Sequence, residues 1–153
     1  MLLVGELMRQ EIATVRPDTP VRRVVEVMTD TGVEGALVVD GRGRVIGSVG
    51  DEQLLAGLYA RRNRPWWWQL SGDDEAAGTD ERLFTLTAAE VMLRRVVTVD
   101  PVASATSAIR LFDEYAVNVI PVVERGTLVG AVFRGDLIKR LLLPHPFGRP
   151  AET

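Results

Sequence analysis

The feature that most constrains this chain is an internal repeat. Adding 84 to the residue number carries residues onto others of the same type: Glu6 onto Glu90, Met8 onto Met92, Thr14 onto Thr98, Val15 onto Val99 and Pro17 onto Pro101. The same offset relates Val33, Val38 and Val39 to Val117, Val122 and Val123, and an offset of 83 then relates Gly47, Val49 and Leu54 to Gly130, Val132 and Leu137. Self-similarity at a fixed spacing marks a repeated structural unit, so the chain is predicted to fold as two copies of one unit.

The two copies have recognisable boundaries. The first copy is predicted over residues 2–58 and the second copy over residues 86–143. A linker that contains three consecutive tryptophans, 59–85, joins them, and an irregular tail, 144–153, follows the second copy. A unit of this size with a thin sheet cannot bury both of its apolar faces alone, so the copies are expected to cover each other.

Each copy has the same predicted order of elements, β-α-β-β-α, behind a short leading helix. In the first copy Thr19 is predicted to cap a helix that begins at Pro20, because proline costs nothing at the first helical position. Two short apolar strands flank a polar, glycine-containing turn at 40–43, and this pattern, which recurs in the second copy, predicts hairpins. A closing helix is predicted at 51–62 and from about 136 to 143.

These elements predict an α+β fold. The two copies are expected to pack sheet against sheet, related by a pseudo-twofold axis. Such packing leaves two equivalent clefts where the copies meet, and clefts at the junction of two subdomains are common sites for small ligands. The repeat therefore predicts where a ligand would bind before any functional residue is considered.

Composition excludes several classes of protein. The 153 residues are 46% hydrophobic and 25% charged, which is typical of a folded globular chain. Because there is no cysteine, there is no disulfide framework, thiolate metal site or cysteine nucleophile. The single histidine, His145, has no partner that predicts a metal site, and no catalytic motif stands out. The sequence therefore predicts neither a metal site nor an enzyme.

Charge and hydropathy narrow the possible partners. The 18 basic and 21 acidic residues give a net charge of -3, which favours neither nucleic acid nor an anionic membrane. No apolar run approaches the length that crosses a bilayer, and the first residues lack a secretory signal, so a cytoplasmic protein is expected. The tryptophans, Trp66 to Trp68, are expected either to pack internally or to contribute to a dimer or partner interface.

Both copies resemble a CBS domain. In the second copy the resemblance rests on the runs EVM at 90–92, VTVDP at 97–101, VNVIPVV at 117–123, LVGAV at 128–132 and DL at 136–137. Each run is unspecific alone, but their order, spacing and duplication make the match specific. The resemblance implies a tandem CBS pair, or Bateman module, which forms a homodimer and binds an adenosine-containing ligand such as AMP, ADP, ATP or S-adenosylmethionine.

The resemblance also implies roles for individual residues. In the CBS family an aspartate after the hairpin binds the ribose hydroxyls, and a serine or threonine before it faces phosphate together with the helix N-terminus. Asp136 matches the aspartate, but Phe133 stands in place of the hydroxyl residue, which leaves Arg134 as the candidate phosphate ligand. The base pocket of the same cleft is expected to come from four residues of the first copy: Ile12, Ala13, Val33 and Gly35.

The first copy departs further from the family pattern. Gly50 replaces the hydroxyl residue and Gln53 replaces the aspartate, so the cleft beside them is expected to bind nothing. In the other cleft, Glu34 would repel a polyphosphate if it points inward, which favours a monophosphate, an uncharged adenosyl compound or no ligand. Asp136 also has a structural explanation as the N-cap of the closing helix, and Arg134 as a solvated surface residue.

The sequence thus predicts a regulatory CBS pair that senses an adenosyl ligand, acts on a partner protein and carries out no reaction. No obligatory cofactor is expected. The alternative is a ligand-free scaffold or interaction dimer whose clefts stay empty, and the substitutions at Gly50 and Gln53 favour it.

Overall fold

The structure is a computed structural model and describes residues 1–62 and 86–143. The remainder of the linker, with Trp66 to Trp68, and the tail, with His145, lie outside the described residues. The interpretations of these residues therefore stay predictions.

The described residues form an α+β fold in two repeats, as predicted. The first copy contains α1 (Val4–Leu7), β1 (Ala13–Val15), α2 (Val21–Thr31), β2 (Gly35–Val39), β3 (Val45–Gly50) and α3 (Asp51–Arg62). The second copy contains α4 (Ala88–Val91), α5 (Ala105–Glu114), β4 (Val119–Glu124), β5 (Thr127–Phe133) and α6 (Arg134–Leu142).

The sheets of the two copies differ in one strand. In the first copy β1 lies parallel to β2, and β2 lies antiparallel to β3. In the second copy β4 and β5 form the same hairpin, but the strand expected before it is reduced to one parallel bridge between Val99 and Val122. Pro121 stands where the first copy has Leu37, and because proline has no N–H to donate, this ladder is shorter.

Both hairpins turn through residues with positive φ. Gly43 has φ +78° in the first turn, and Arg125 and Gly126 have φ +51° and +79° in the second. Glycine adopts this region without the penalty that a Cβ would impose, which explains its place in both turns.

The leading helix of each copy packs on the other copy. The N–H of Val4 donates to the carbonyl of Ala103 at 2.8 Å, and at the equivalent place the N–H of Ala88 donates to the carbonyl of Thr19, also at 2.8 Å. Val4 is fully buried in a cluster that otherwise belongs mainly to the second copy. Each core is therefore completed by a segment of the other copy.

The extended segments that follow α1 and α4 also pair with a strand of the other copy. Arg9 and Ala131 of β5 exchange two backbone hydrogen bonds, at 2.8 and 2.9 Å. Leu93 and Ser48 of β3 exchange the equivalent pair, at 2.8 and 3.0 Å. The repetition of these contacts at equivalent positions gives the pseudo-twofold relation between the copies.

The sheets themselves meet in a shared apolar cluster. Its buried members are Leu37, Val119, Ala131 and Phe133, and its partly buried members are Ile12, Val33, Val45 and Leu128. Full burial of a large apolar side chain stabilises a fold by about 1.5–3 kcal/mol, so this cluster holds the two sheets face to face.

The start of α2 differs from the prediction by one residue. The hydroxyl of Thr19 accepts the N–H of Arg16 at 2.9 Å and closes the preceding turn, so it does not cap the helix. Pro20 is the N-cap and has no capping side chain. At the equivalent position of the second copy, Ser104 accepts the N–H of Ser107 and does cap α5.

Candidate functional site

An open cleft lies between the two copies at the start of α6. It has a volume of about 370 Å³, which is within the range of small-molecule sites. The first copy contributes Arg9, Gly32, Val33 and Glu34 to its walls, and the second copy contributes Phe133, Gly135, Asp136 and Lys139. We call it the Asp136 cleft; because both copies form its walls, it exists only in the assembled pair.

Arg9 reaches across this cleft to Asp136. Its Nε lies 2.5 Å from Oδ2 of Asp136 and its Nη2 lies 2.8 Å from Oδ1, so the planar guanidinium binds both carboxylate oxygens. The guanidinium also lies over the ring of Phe133, 5.7 Å from its centroid. The hydrogen bond that Arg9 donates to Asp136 holds the pKa of Arg9 above its ordinary value. The carboxylate of Asp136 is thereby fixed in orientation.

Asp136 does not cap the closing helix. The helix α6 begins at Arg134, its N-cap is Phe133, and no side chain of the N-cap makes a capping hydrogen bond. Strand β5 runs directly into α6, so Asp136 lies in the first helical turn and its carboxylate points to Arg9. An acidic residue in the first turn also interacts favourably with the helix dipole.

Glu34 points into the cleft and binds the start of α6. Its Oε1 accepts the N–H of Gly135 at 2.8 Å. A Cβ built on Gly135 would lie 2.6 Å from the same oxygen, so glycine is what allows this approach. A carboxylate of the first copy therefore occupies the end of a helix of the second copy, where the dipole favours an anion.

Two residues of the predicted site line the Asp136 cleft, namely Asp136 and Val33. Ile12 is partly buried in the inter-sheet cluster with Phe133. Ala13 is 1% exposed in the core of the first copy. Gly35 faces β4, since a Cβ there would lie 3.0 Å from Cγ1 of Val119. The role of Ile12, Ala13, Val33 and Gly35 as a base pocket stays a prediction.

Arg134 is engaged elsewhere. Its Nη2 donates to the carbonyl of Val117, and its N–H donates to the carbonyl of Asn118 at 2.9 Å. Arg134 is not among the residues that line the Asp136 cleft. Lys139, one turn after Asp136 on α6, does line the cleft and is the better placed cation.

The equivalent junction on the other side, the Gln53 cleft, has different polar contacts. Oε1 of Gln53 accepts the N–H of Gly50 at 2.8 Å, so this side chain is turned back on its own backbone. Nδ2 of Asn118 donates to Oδ1 of Asp51 at 3.2 Å. The space beside this junction, lined in part by Val96, Val97, Val117 and Val119, is about 10 Å³ and holds no more than one water molecule.

Arg9 and Lys139 belong to no motif in the sequence. Each nevertheless breaks the repeat, because the equivalent positions hold Leu93 and Ala56. A charged residue in one copy opposite an apolar residue in the other is the signal that identifies them. The repeat thus indicates the cleft through its matches and the cleft's charged residues through its mismatches.

The described part of the chain contains neither a cluster of metal-binding side chains nor a helix that could cross a membrane. Across residues 1–62 and 86–143, no group of three or more histidine, aspartate or glutamate side chains is placed to hold a metal ion. None of the helices within these ranges combines the length and apolar character needed to span a bilayer.

Comparison with known proteins identifies both repeats. A model of the CBS domain matches residues 4–60 and again residues 88–143. A curated protein of Methanocaldococcus jannaschii, described as uncharacterized, is 27% identical over 137 residues, which are 89% of this chain and 31% of the relative. The chain therefore spans about a third of the length of this relative.

Solved structures agree over nearly the whole chain. The CBS domain of a CBS-domain-containing membrane protein from Sphaerobacter thermophilus has a TM-score of 0.67 and 29% identity, covering 94% of this chain and 90% of that one. The plant protein CBSX2 from Arabidopsis thaliana, in complex with AMP, has a TM-score of 0.64 and 25% identity, covering 91% of this chain and 95% of that one.

Proposed function

The chain belongs to the CBS domain family, and on that premise we propose that it is a regulatory module that binds an adenosyl compound in the Asp136 cleft and acts on a partner protein. The observation that carries the proposal is the placement of Asp136. Its carboxylate is held by Arg9 at an open cleft formed by both copies. That CBSX2 is similar to this chain and binds AMP supports the choice of an adenosyl ligand.

The groups in the cleft suit a nucleoside. A carboxylate offers about four acceptor positions, and Arg9 takes two of those on Asp136, so acceptors remain for two ribose hydroxyls. Val33, which is half-buried, offers apolar surface for the base, and Phe133 and Ile12 pack behind it in the cluster between the sheets. A ligand that touches both walls binds the assembled pair and stabilises one arrangement of the copies, which is how binding would be passed to a partner.

We propose that the module is not an enzyme. Both carboxylates of the cleft are engaged, Asp136 by Arg9 and Glu34 by the N–H of Gly135. Such fixed groups suit recognition better than proton transfer, which needs a base within reach of a substrate proton.

We also propose that the module acts as a homodimer in the cytoplasm. Support for the dimer comes from large apolar side chains on the closing helices: Leu55 and Tyr59 of α3 are 65% and 67% exposed, and Leu142 of α6 is 77% exposed. Leu55 and Tyr59 are four residues apart and so lie on one face of α3, and an exposed apolar face of this kind is a candidate interaction surface.

A thermal-shift screen tests the proposed function. The ligands are adenosine, AMP, ADP, ATP, NAD and S-adenosylmethionine, each added to the full chain. A compound present at about 100 times its dissociation constant adds about 2.7 kcal/mol to the free energy of unfolding. We expect at least one compound to raise the melting temperature, and calorimetric titration then gives its affinity.

A matched pair of variants locates the site. Asp136→Ala removes the ribose acceptor and is expected to abolish the shift, whereas Gln53→Ala changes the equivalent residue of the other cleft and is expected to leave it unchanged. Absence of a shift with every compound, or equal loss in both variants, would contradict the proposal.

A second candidate function, a scaffold with empty clefts, is favoured by one observation. The polar groups of the Gln53 cleft satisfy each other, Gln53 with Gly50 and Asn118 with Asp51. If the screen finds no ligand, the exposed faces of α3 and α6 become the functional surface, and Leu142→Asp is then expected to abolish self-association in analytical ultracentrifugation.

A further inference from the structure

We infer that Glu34 selects the charge of the ligand: it excludes phosphate from the start of α6, so that the Asp136 cleft prefers adenosyl compounds whose 5′ substituent is neutral or cationic. This inference rests on the proposed function, because it concerns the ligand class of the same cleft. It adds a specificity-determining residue that the family pattern of hydroxyl and aspartate residues does not contain.

The first support is the contact itself. The helix α6 has nine residues, and its N-terminal N–H groups attract an anion. One of these, the N–H of Gly135, already donates to Oε1 of Glu34 at 2.8 Å. A phosphate that approached this N–H would have to displace a carboxylate tethered to β2 through Gly35.

The second support is the space around the contact. A Cβ on Gly135 would lie 2.6 Å from Oε1 and 3.3 Å from Cδ of Glu34. The carboxylate therefore fits against the backbone of Gly135 with no room for another group between them. Glu34 of the first copy is therefore in direct contact with the start of α6 in the second copy.

The third support is the balance of charge along the cleft. Its walls carry two cations, Arg9 and Lys139, and two anions, Glu34 and Asp136. Arg9 is committed to Asp136 through two hydrogen bonds, so Lys139 is left as the cation available to a ligand. The charge of Lys139 is offset by the fixed carboxylate of Glu34, so the cleft offers a phosphate no net positive charge, and the helix start that would bind the phosphate already holds an anion.

The equivalent residue of the other cleft shows that this charge is not part of the repeat. Asn118 takes the place of Glu34, and its amide donates to Asp51 at the start of α3. The same backbone position thus presents a neutral donor in one cleft and an anionic acceptor in the other.

The variant Glu34→Gln tests the inference in the full chain. The amide oxygen of glutamine can still accept the N–H of Gly135, so the change removes the charge and keeps the contact. We expect the affinity for AMP to rise at least about tenfold and the affinity for ATP to rise further, while the affinity for adenosine stays within about twofold. Glu124→Gln, at the far end of β4, removes the same charge outside the cleft and is expected to change none of the three.

A second variant changes Gly135, the other partner in the contact with Glu34. Gly135→Ala places a methyl group where Oε1 of Glu34 lies and displaces that side chain from the helix start; alanine is also the better helix former. We expect it too to raise the ratio of AMP affinity to adenosine affinity. Agreement between the two variants excludes a folding defect as the cause.

The outcomes separate this inference from the proposed function. If wild-type protein binds adenosine and AMP with a ratio of affinities that neither variant changes, Glu34 is only a structural contact and the inference is overturned, while the proposed function stands. If neither wild-type protein nor any variant binds an adenosyl compound, both are overturned together.

Discussion

The Asp136 cleft and the Gln53 cleft are made by equivalent segments of the two copies, and both keep a valine, Val33 or Val117, whereas their polar and charged side chains differ. The paired positions that differ are Arg9 and Leu93, Glu34 and Asn118, Asp136 and Gln53, and Lys139 and Ala56. The backbone contacts that build the two junctions are equivalent, including the hydrogen bonds at 2.8 Å that hold α1 and α4. The fold is thus maintained by backbone and apolar contacts common to both copies, and the charged groups were free to diverge.

The largest expected effect is a loss of stability when the glycine at either junction between the copies is replaced by alanine. Equal losses would show that the same contacts hold both junctions. A Cβ on Gly130 would lie 2.7 Å from the carbonyl oxygen of Arg9, and a Cβ on Gly47 would lie 2.8 Å from that of Leu93. Because the clash is with backbone, Gly130→Ala and Gly47→Ala should each destabilise the fold by about 1–3 kcal/mol. Thermal denaturation measures this directly.

Ligand binding should separate these two variants. Gly130→Ala displaces Arg9, which holds Asp136, so it should also weaken the binding of adenosine; Gly47→Ala displaces Leu93 and should leave that binding unchanged. Equal stability loss with equal binding loss would mean that the two clefts are coupled, and no stability loss in either variant would mean that the exchanged segments do not hold the copies together.

Much of the fold was predictable because it follows from local sequence patterns. The offset of 84 residues fixes the two copies, and the turns with Gly43 and Gly126 fix the hairpins. The exchange of α1 and α4 was not predictable, because the contacts of Val4 with the second copy join residues about 100 positions apart and leave no local period. The missing strand before β4 follows from Pro121 only once its partner strand is known.

Two of the predicted site residues, Asp136 and Val33, line the cleft, but the contacts that Asp136 makes were not predictable from the sequence. The family pattern points to Asp136, and the structure places it in the cleft, but sequence alone cannot distinguish a helix cap from a partner of Arg9. That distinction depends on where β5 ends and α6 begins, which is between Phe133 and Arg134. Comparison of the copies position by position marks Arg9 opposite Leu93, but it marks Asp18 opposite Val102 equally, so only the structure places Arg9 at the cleft.

A smaller effect is expected for the ion pair between Arg9 and Asp136, which has no equivalent in the Gln53 cleft. A double-mutant cycle with Arg9→Ala and Asp136→Ala should give a coupling free energy of about 0.5–1 kcal/mol, because the pair is well oriented but partly exposed, at 43% and 25% for the two side chains. The equivalent cycle with Leu93→Ala and Gln53→Ala should give a coupling near zero. Urea denaturation of all variants provides the values, and equal coupling in the two cycles would show that the pair contributes nothing beyond packing.

The smallest expected effect concerns Asp40 in the first hairpin turn and the equivalent Glu124 in the second. Backbone N–H groups of Arg44 and Arg42 donate to Asp40 and hold the pKa of this carboxyl below its ordinary value of 3.8. A carboxyl with a lowered pKa in the folded state adds stability above its unfolded pKa and loses it as pH falls through the folded value. Asp40→Asn should therefore lower the melting temperature by about 2 °C or less at pH 7, and the difference from wild type should shrink as pH falls below 3.8 toward the lowered pKa of the folded state. Glu124→Gln, at the equivalent position of the other turn, is the control, and a difference that persists at low pH would show that Asp40 acts through its shape and not its charge.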